Sequence, residues 1–515
     1  MGTSQELRDL LNGQKFGASA LAHMHTGPSS STAPYYLPMS PQVALTAIIT
    51  TGDEVASTDA QNLGSYTFGG IPDGLGAYDN PGSTFTLLVN HELRPELGDE
   101  RAHGGTGAYI SKLIIDEKTL QVVGGEDLIK EVYLWQGGDF IKNADVDFNR
   151  FCSADLAKTS AFFNAATGKG YDGLIYLNGE ETTDGRAFAH FVDGAEAGKS
   201  YEMPFMGNLA FENVVANSYS GDKTLVIGTD DSTPGQVYLY VGDKAATGDA
   251  LTRAGLVGGD LYGIKVLDAP ADEQRATGFG AEEKAFTLVK LGAGAGGTPA
   301  VNPNDANGDV SAMNAAQLQT QSESFGVTEF LRPEDGAWDT VDPSRFYFVT
   351  TDRFDTEAQE GRSRLWRLDF NDVAHPEQGG KIELMVDNGP HQMFDNITVN
   401  SRGQVLIEED PGNQAYSAKI WLYDPSSDKL SLLAQSNPIL FGSDVLGMSP
   451  SAPFTQDEEA SGIIDVSSIL GSPGKDVYLF DVQAHYSTDP TTVEGGQLLA
   501  MELNANSLSS WNWLV

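Results

Sequence analysis

Short hydrophobic runs separated by Gly, Asp and Pro recur along the chain. Within each run Val, Ile, Tyr, Phe and Thr alternate with other residues, which is typical of antiparallel strands. One unit appears six times: a β-rich run ends in a loop that carries carboxylates, and a second β-rich run follows. The first runs of the six units are FTLLVNHE (85–92), LIYLNGEE (174–181), TLVIGTDD (224–231), FYFVTTDR (346–353), QVLIEEDPG (404–412) and VYLFDVQAH (477–485).

A second element lies upstream of each unit, where an acid, or in one case a cysteine, precedes a short run of small residues. The six elements are GIPDGLGAY, RFCSADLA, AFENVVAN, RPEDGAWD, MFDNITVN and EEASGIID, of which the last matches the repeat least well. Such repeats are typical of propeller blades, because small residues on the innermost strands fit a crowded central channel. The sequence therefore predicts an all-β fold: a six-bladed β-propeller with loop insertions and a few short helices.

The domain organisation follows from the spacing of the repeats. We expect one propeller domain over residues 1–515, because no linker rich in Pro, Gly or Ser separates two sets of repeats. An N-terminal extension covers about residues 1–60, and an insertion covers about residues 265–325. The insertion contains a Gly- and Ala-rich segment (291–314), which we interpret as a surface excursion. Helical patterning is confined to SQELRDLLN near the start and DLAKTSAFFNAATG (155–168).

Charge excludes two classes of partner. The chain has 31 Lys and Arg against 72 Asp and Glu, a formal net charge of −41. Such an acidic protein repels phosphate backbones and anionic lipids, which excludes nucleic-acid binding through a basic face. No stretch approaches the ~20 apolar residues of a membrane span. The first residues lack the basic-then-apolar order of a signal peptide, and the single cysteine, Cys152, excludes an internal disulfide. We expect a monomer.

The repeated acids would meet at one mouth of the propeller channel. Innermost strands would bring together Asp73, Cys152, Glu212, Glu334, Asp395 and, at the weakest repeat, Glu459. A second ring would hold Glu92, Glu180, Asp231, Asp352, Glu409 and Asp410, with further oxygens from Asn90, Asn213 and Asn396. Gathered carboxylates repel unless cations neutralise them, and hard oxygen ligands suit calcium. The alternative is structural, because acids at strand ends also cap turns.

Two residues sharpen this interpretation. Cys152 occupies the position where the other units carry Asp or Glu. It is either a small buried apolar residue or a soft thiolate ligand, which would select a transition metal such as iron. Arg332 lies two residues before Glu334 and on the same strand face, so it either balances charge or grips a phosphate oxyanion. No HExxH helix, GxSxG elbow or Walker motif offers a different chemistry.

Together the motifs resemble those of the PhoX-type alkaline phosphatases, in a shorter branch of that family. The matching stretches span about residues 65–500: GIPDGLGAYD, FTLLVNHE, RAHGGTGAYISK, RFCSADL, NGEE, RPEDGAWD, FDNITV, EEDPG and EEASGIID. The resemblance implies a six-bladed propeller that holds ferric iron and calcium and hydrolyses phosphate monoesters. It also implies a periplasmic or secreted location, with the signal peptide absent from this chain.

The resemblance further implies roles for individual residues. Iron would be held by Cys152, Glu212 and Glu334, and calcium by Asp395, Asn396 and Asp410, with Glu92 as a further ligand beside Asp73. Arg332 would be the catalytic arginine that grips phosphate. Two alternatives stay open: a calcium-dependent propeller that acts as a phosphodiesterase, phosphotriesterase or phytase, and a calcium-binding propeller that is not an enzyme.

Overall fold

The computed structural model describes residues 22–60, 64–280, 282–292, 310–352, 363–387, 389–412, 416–443 and 446–504. Strands make up most of the regular secondary structure, and most of them pair antiparallel with their neighbours in the chain, so the all-β prediction is confirmed. The helix predicted for SQELRDLLN near the start lies outside the described residues, as does most of the segment 291–314.

The chain divides into two compact units. Unit 1 comprises Met1–Asp99, Tyr109–Asp127 and Pro390–Val515, and unit 2 comprises Glu100–Ala108 and Leu128–Gly389. We define six blades, each made of four strands that are neighbours in a sheet, and number them from 1 to 6 in the chain order of their first strands. Among the described residues, blades 1, 5 and 6 lie in unit 1, and blades 2, 3 and 4 lie in unit 2.

The blades of unit 1 use strands from both ends of the chain. Blade 1 consists of Pro72–Asp79, Thr84–His91, Tyr109–Asp116 and Val122–Asp127. Blade 5 consists of Phe394–Val399, Val405–Glu409, Lys419–Asp424 and Lys429–Ser436, with Tyr36–Pro38 at its edge. Blade 6 consists of Glu458–Asp465, Lys475–Ser487, Glu494–Asn504 and Val43–Thr50, and Met24–Thr26 pairs in parallel. A small ribbon pairs Glu54–Ala56 with Ser65–Thr67. The N-terminal segment therefore completes blades 5 and 6.

The blades of unit 2 carry additions at their outer edges. Blade 2 consists of Phe151–Asp155, Ile175–Glu180, Ala187–Phe191 and Lys199–Glu202, extended by Glu131–Gln136 and Asp139–Asn143. Blade 3 consists of Phe211–Ala216, Lys223–Asp230, Val237–Asp243 and Asp260–Val266. Blade 4 consists of Pro333–Trp338, Arg345–Thr350, Arg364–Phe370 and Gly380–Val386. The strand Lys284–Lys290 pairs with the last strands of blades 3 and 4 and joins them into one nine-stranded sheet.

The described helices are short. They are α1 (Ala250–Ala254), α2 (Ala315–Phe325), α3 (Pro438–Phe441) and α4 (Ser467–Leu470), with 3₁₀ turns at Thr159–Ala161, Gly194–Glu196, Pro204–Met206, Val310–Ala312 and Pro376–Gln378. None of these helices has the length and apolar character needed to span a bilayer. Helix α2 begins at a capping box formed by Asn314 and Gln317 and ends at Gly326, whose φ is +69°.

The helix predicted over residues 155–168 is wrong. Its described structure is one 3₁₀ turn followed by a hairpin in which Phe163–Asn164 pairs with Lys169–Gly170. The side chain of Asn164 accepts a hydrogen bond from the Ala166 backbone N–H at 3.0 Å, and Gly168 has a φ of +69°. The Asn side chain satisfies a backbone N–H of the turn, and Gly adopts a positive φ without steric cost. Both residues therefore favour a turn over a helix.

Blades within each unit pack through apolar side chains on both faces. In the second strand of blade 6, Phe480 and Val482 join an apolar cluster with blade 5, whereas Val477 and Leu479 join a cluster with blade 1. Corresponding clusters lie between blades 2 and 3 and between blades 3 and 4 in unit 2. Burial of both faces explains why the second strands read as nearly continuous hydrophobic runs.

A buried ion pair ties the insertion to blade 4 in unit 2. The Nη1 of Arg364 lies 2.7 Å from the Oε1 of Glu273, and both side chains are 0% exposed. The second oxygen of Glu273 accepts a hydrogen bond from the Leu331 backbone N–H at 3.0 Å. Burial raises the pKa of Glu273, and the charge of Arg364 opposes that shift. The pair therefore holds the backbone next to Arg332.

Replacing Arg364 by Met should lower the free energy of unfolding by about 3–5 kcal/mol, because Glu273 would lose its cation while it stays buried. The control is Lys142→Met, which removes an ion pair with Glu131 of the same 2.7 Å length. The Lys142 side chain is 56% exposed, so its loss should cost less than about 1 kcal/mol. Urea unfolding measures both values, and equal losses would contradict the prediction.

Candidate metal sites

Five first strands carry their acid, or Cys152, inside a β-bulge. The pairing register shifts at Pro72/Leu75, Phe151/Ala154, Phe211/Val214, Pro333/Gly336 and Phe394/Ile397. A bulge inserts an extra residue and redirects the side chains at that point. We call the residue after the first member of each pair the slot residue. The slot residues of blades 1–5 are Asp73, Cys152, Glu212, Glu334 and Asp395.

The backbone enters these strands through an unusual conformation. Four residues that lie two positions before a slot have positive φ values: Ile71 (48°), Arg150 (45°), Arg332 (56°) and Met393 (48°). Residues with side chains rarely adopt this region, so the surroundings must hold them there. The carbonyl of Ile71 accepts from the Glu92 N–H, and that of Met393 accepts from the Asp410 N–H, each at 2.9 Å. These bonds fix the acid after the second strand beside the slot.

Unit 2 contains a trio of carboxylates. Glu212, Asp231 and Glu334 each bring an oxygen to within 4.8 Å of the others. Glu212 and Glu334 are slot residues of blades 3 and 4, whose first strands are in contact, and Asp231 follows the second strand of blade 3. All three acids had been expected at the mouth, and the structure brings these three together.

Arg332 lies across two members of this trio. Its Nε and Nη2 donate to the two oxygens of Asp231 at 2.7 and 2.9 Å. Its Nη2 also lies 2.9 Å from the Oε1 of Glu334. The side chain is 27% exposed, so the guanidinium is both anchored by acids and open to solvent. This is the placement that either role of Arg332 requires, as a charge partner or as an anion grip.

Cys152 adjoins the acids of unit 2. Its thiol donates to Glu181 at 3.2 Å, and Arg150 forms an ion pair with the same carboxylate. The next residue, Ser153, donates its hydroxyl hydrogen to Glu212 at 2.8 Å. The side chain of Cys152 is buried, yet its neighbours are charged, so it is not packed as an ordinary apolar residue.

Glu181 is a site residue that the sequence interpretation missed. The predicted ring contained Glu180, but the structure pairs Glu180 with Arg186 through two bonds of 2.7 and 2.9 Å. The Glu181 N–H donates to the Arg150 carbonyl at 2.9 Å, which is the bond that Glu92 and Asp410 make in their blades. The two adjacent acids in NGEE indicated that a site acid lies here. Only the register of the bulge shows that Glu181, and not Glu180, is the counterpart of Glu92 and Asp410.

Unit 1 contains a second trio. Asp395, Asp410 and Glu459 bring carboxylate oxygens to within 4.8 Å of one another. Asp395 and Asp410 come from blade 5, and Glu459 comes from the first strand of blade 6, which is in contact with that of blade 5. Asn396 is buried beside Asp395, and its Nδ2 donates to the Oδ1 of Asp73 at 3.4 Å.

Asp73 and Glu92 also share a donor. The Nε2 of Gln483 donates to Asp73 at 3.2 Å and to Glu92 at 2.9 Å. Asp73 additionally accepts from the Gly74 backbone N–H at 2.6 Å. The structure thus places both predicted ligands of blade 1 against the second strand of blade 6. Other members of the predicted second ring bind protein donors: Asp352 accepts from Arg275 at 2.7 Å, and Glu409 accepts from Trp421 at 2.8 Å.

Burial opposes ionisation of several acids close to these sites. Burial raises the pKa of Glu458 to about 8, and the charge of Asp410 adds to that shift. Burial also raises the pKa of Asp155 to about 7, and that of Asp230 to about 7. A bound cation would oppose such shifts, because it stabilises the ionised form.

The donor sets fit metal ions. The trio of unit 1 offers only oxygen atoms, which suits calcium. The trio of unit 2 lies beside a thiol that is linked to it through Ser153, and sulfur favours a transition metal. Three partly buried acids within 4.8 Å of one another repel strongly unless positive charge is present.

Part of the chain is similar in sequence to a known family, and its fold is similar to that of a solved structure. The family model described as alkaline phosphatase PhoX matches residues 192–424, which confirms the predicted resemblance. No curated protein gives a significant match. Pseudomonas fluorescens PhoX, solved in complex with vanadate, a transition state analogue, superposes with a TM-score of 0.62 at 12% identity, covering 93% of this chain and 98% of that one. This match confirms the β-propeller fold.

A Xanthomonas campestris gluconolactonase is also similar, with a TM-score of 0.29 at 10% identity over 88% of this chain and 98% of that one. A match at this level carries no functional argument.

Replacing Glu458 by Gln should flatten the dependence of stability on pH. In chelator, ionisation of Glu458 should lower the free energy of unfolding of the wild type by up to about 4 kcal/mol as pH rises from 4.5 towards 8. The sign follows from a folded pKa above the unfolded value: the stabilisation is complete below pH 4.5 and is lost as pH rises. Gln cannot ionise, so the variant should lack this loss.

Urea unfolding at pH 5, 6.5 and 8 measures the effect. The control Glu377→Gln alters a carboxylate with a 63% exposed side chain and should leave the profile unchanged. A Glu458→Gln profile identical to that of the wild type would contradict the prediction.

Proposed function

We propose that this chain, which matches the PhoX family over residues 192–424 and shares the propeller fold of a PhoX phosphatase, is a metal-dependent phosphatase that hydrolyses phosphate monoesters. The observation that carries the proposal is the trio of Glu212, Asp231 and Glu334, whose oxygens lie within 4.8 Å of one another with Arg332 bound across two of them. Carboxylates that concentrate charge beside an arginine are suited to holding metal next to a phosphoryl group.

The proposed ligands follow the two trios. In unit 2, Cys152, Glu212 and Glu334 would hold iron. In unit 1, calcium would be held by Asp395, Asn396 and Asp410, with Glu459, Asp73 and Glu92 as further oxygen donors. When bound, these metals act as Lewis acids toward phosphoryl oxygens and lower the pKa of water.

Arg332 is the proposed catalytic residue. Its guanidinium is planar and forked, which matches two phosphoryl oxygens. Asp231 binds one edge of the fork through two hydrogen bonds, so the guanidinium is held in place before substrate arrives. Positive charge that is already oriented stabilises the negative charge that develops during phosphoryl transfer without a cost of reorganisation. The bond from Leu331 to Glu273 holds the backbone on which Arg332 is mounted.

We extend the proposal to substrate class and location. The substrate is a small phosphate ester, since the net charge of −41 repels long polyanions such as nucleic acids. The periplasm or the extracellular space is proposed from the family resemblance. The protein acts as a monomer in this proposal.

Arg332→Lys should lower kcat/KM for p-nitrophenyl phosphate by about 10²-fold, because Lys offers a point charge in place of an oriented fork. The control Arg367→Lys alters another arginine of blade 4 that binds two acids, Asp369 and Glu383, each at 2.7 Å. This control should retain activity. Thermal unfolding and metal analysis of both variants separate catalysis from damage to the fold, and an equal loss in both would argue against a catalytic Arg332.

A substrate panel tests the function itself. The purified chain is assayed with calcium, with iron, with both, and with chelator, on p-nitrophenyl phosphate, its diester analogue and a triester. We expect the monoester to be the best substrate in the metal-loaded protein and turnover to disappear in chelator. A preference for the diester or triester would instead support the alternative propeller hydrolases, and the absence of turnover in every metal state would refute the enzyme proposal.

Cys152→Ser should remove iron from the protein while calcium stays bound, because a neutral hydroxyl is a much weaker ligand for iron than an anionic thiolate. Metal analysis by mass spectrometry on wild type and variant measures this. The structural neighbours of Cys152 accept either residue, since Ser can also donate to Glu181. Iron retained in the variant would show that Cys152 is not a ligand, and a wild type with calcium alone would support a non-enzymatic calcium-binding propeller.

A further inference from the structure

Blade 6 differs from the other blades in register. Its bulge falls between Ser461 and Ile463, and the last pair before it is Ser461 with Asp481. In blades 2, 3 and 5 the corresponding last pairs place Glu180, Asp230 and Glu409 on the second strand. Asp481 is therefore the blade 6 counterpart of these three acids. Glu459 is two residues earlier, where the 13-residue second strand of blade 6 extends the hairpin.

The counterparts of Asp481 all bind protein donors. Glu180 is held by Arg186 at 2.7 and 2.9 Å, Asp230 accepts from Ser232 at 2.9 Å, and Glu409 accepts from Trp421 at 2.8 Å. Asp481 is 0% exposed, and neither of its oxygens has a hydrogen-bond partner in the described part of the chain. A buried acid of this kind is costly, because nothing replaces the water it has lost.

The side chains around Asp481 are rich in oxygen. Glu459 pairs with Gln483, and Ser461 pairs with Asp481. Residues that face each other across two strands, and residues two apart on one strand, lie on the same sheet face. The side chains of Glu459, Ser461, Asp481 and Gln483 therefore lie next to one another on the face of blade 6 that packs against blade 1. The residues between them, Ala460 and Val482, belong to the apolar cluster on the opposite face.

Gln483 supports the same conclusion. It is 0% exposed, and its Nε2 donates to Asp73 and to Glu92, which fixes the orientation of the amide. Its Oε1 is buried, and within the described residues it receives no hydrogen bond. Asp481 and Gln483 are neighbours on the same sheet face. Within the described residues, both thus have buried acceptor oxygens that receive no hydrogen bond. Acceptors of this kind require either donors or a cation.

We propose that Asp481 and the Oε1 of Gln483 bind a calcium ion, with Glu459 and Ser461 as additional oxygen ligands. All four side chains would bind through hard oxygen atoms, and two of them are carboxylates. Such a ligand set suits a divalent cation with the size and flexible geometry of calcium. The site shares Glu459 with the proposed calcium ligands of unit 1, and to that extent it rests on the proposed function.

The test counts calcium and does not depend on turnover. Wild type, Asp481→Asn and the control Glu180→Gln are stripped with EGTA, equilibrated with calcium, desalted and analysed by mass spectrometry. We expect Asp481→Asn to bind one calcium fewer per chain than the wild type. Glu180→Gln should keep the wild-type count, because Glu180 is bound by Arg186. Magnesium in place of calcium should not restore the full count in wild type, since magnesium resists dehydration.

Thermal unfolding gives a second readout. In EGTA, Asp481→Asn should be at least as stable as the wild type, because a neutral amide costs less to bury than a carboxylate. In calcium, its rise in Tm should be smaller than that of the wild type. Glu180→Gln should instead lose stability equally in both conditions. A wild-type calcium count in Asp481→Asn, or a lower Tm of that variant in EGTA, would overturn the site. Inactivity of all three proteins with an altered calcium count would refute only the proposed function.

Discussion

Repulsion between buried carboxylates is the constraint on which the rest of the structure depends. The chain answers it in two ways. Where an acid has a structural role, one basic or polar side chain binds it, as Arg186 binds Glu180 and Arg275 binds Asp352. Where acids gather in the trio of unit 2, the guanidinium of Arg332 binds two of the three carboxylates, and its single positive charge is smaller than their combined negative charge. Carboxylates gathered this closely concentrate negative charge at one point, which makes the two trios the candidate metal sites of the described residues.

The backbone creates these gatherings by a repeated device. A bulge at the start of the first strand presents the slot residue, and a residue of positive φ two positions earlier bends the chain into the strand. A hydrogen bond from the N–H after the second strand then secures the bend. The strain of Ile71 or Met393 is maintained because the packed sheet around it fixes both ends of the segment. Because this local backbone feature recurs in several blades, acids at equivalent positions of the sequence repeats come to lie close together in the fold.

Much of the fold was predictable because its signal is local. Alternation of β-branched and aromatic residues, turn residues and the repeats themselves indicated blades, and the slot acids were visible in the same repeats. The errors and omissions concern pairing. The segment 155–168 contains helix-forming residues, but Asn164 binds its own turn and the hairpin prevails. Glu180 and Glu181 are adjacent in sequence, and only the register of blade 2 assigns one to Arg186 and the other to Cys152. No local pattern indicates that residues 284–290 join blades 3 and 4.

The sequence by itself determined the all-β class, the repeats, the positions of the slot acids and the presence of one thiol among them, because periodicity and residue type are properties of a short segment. Tertiary structure alone decided which acids meet, which are bound by arginine, and which are left with buried oxygens. Asp481 shows the reason most clearly. Its environment depends on strand register and on the packing of blade 6 against blade 1, which together remove water and bring Gln483 and Ser461 beside it. Desolvation and donor count arise only when distant segments pack, so no single segment encodes them.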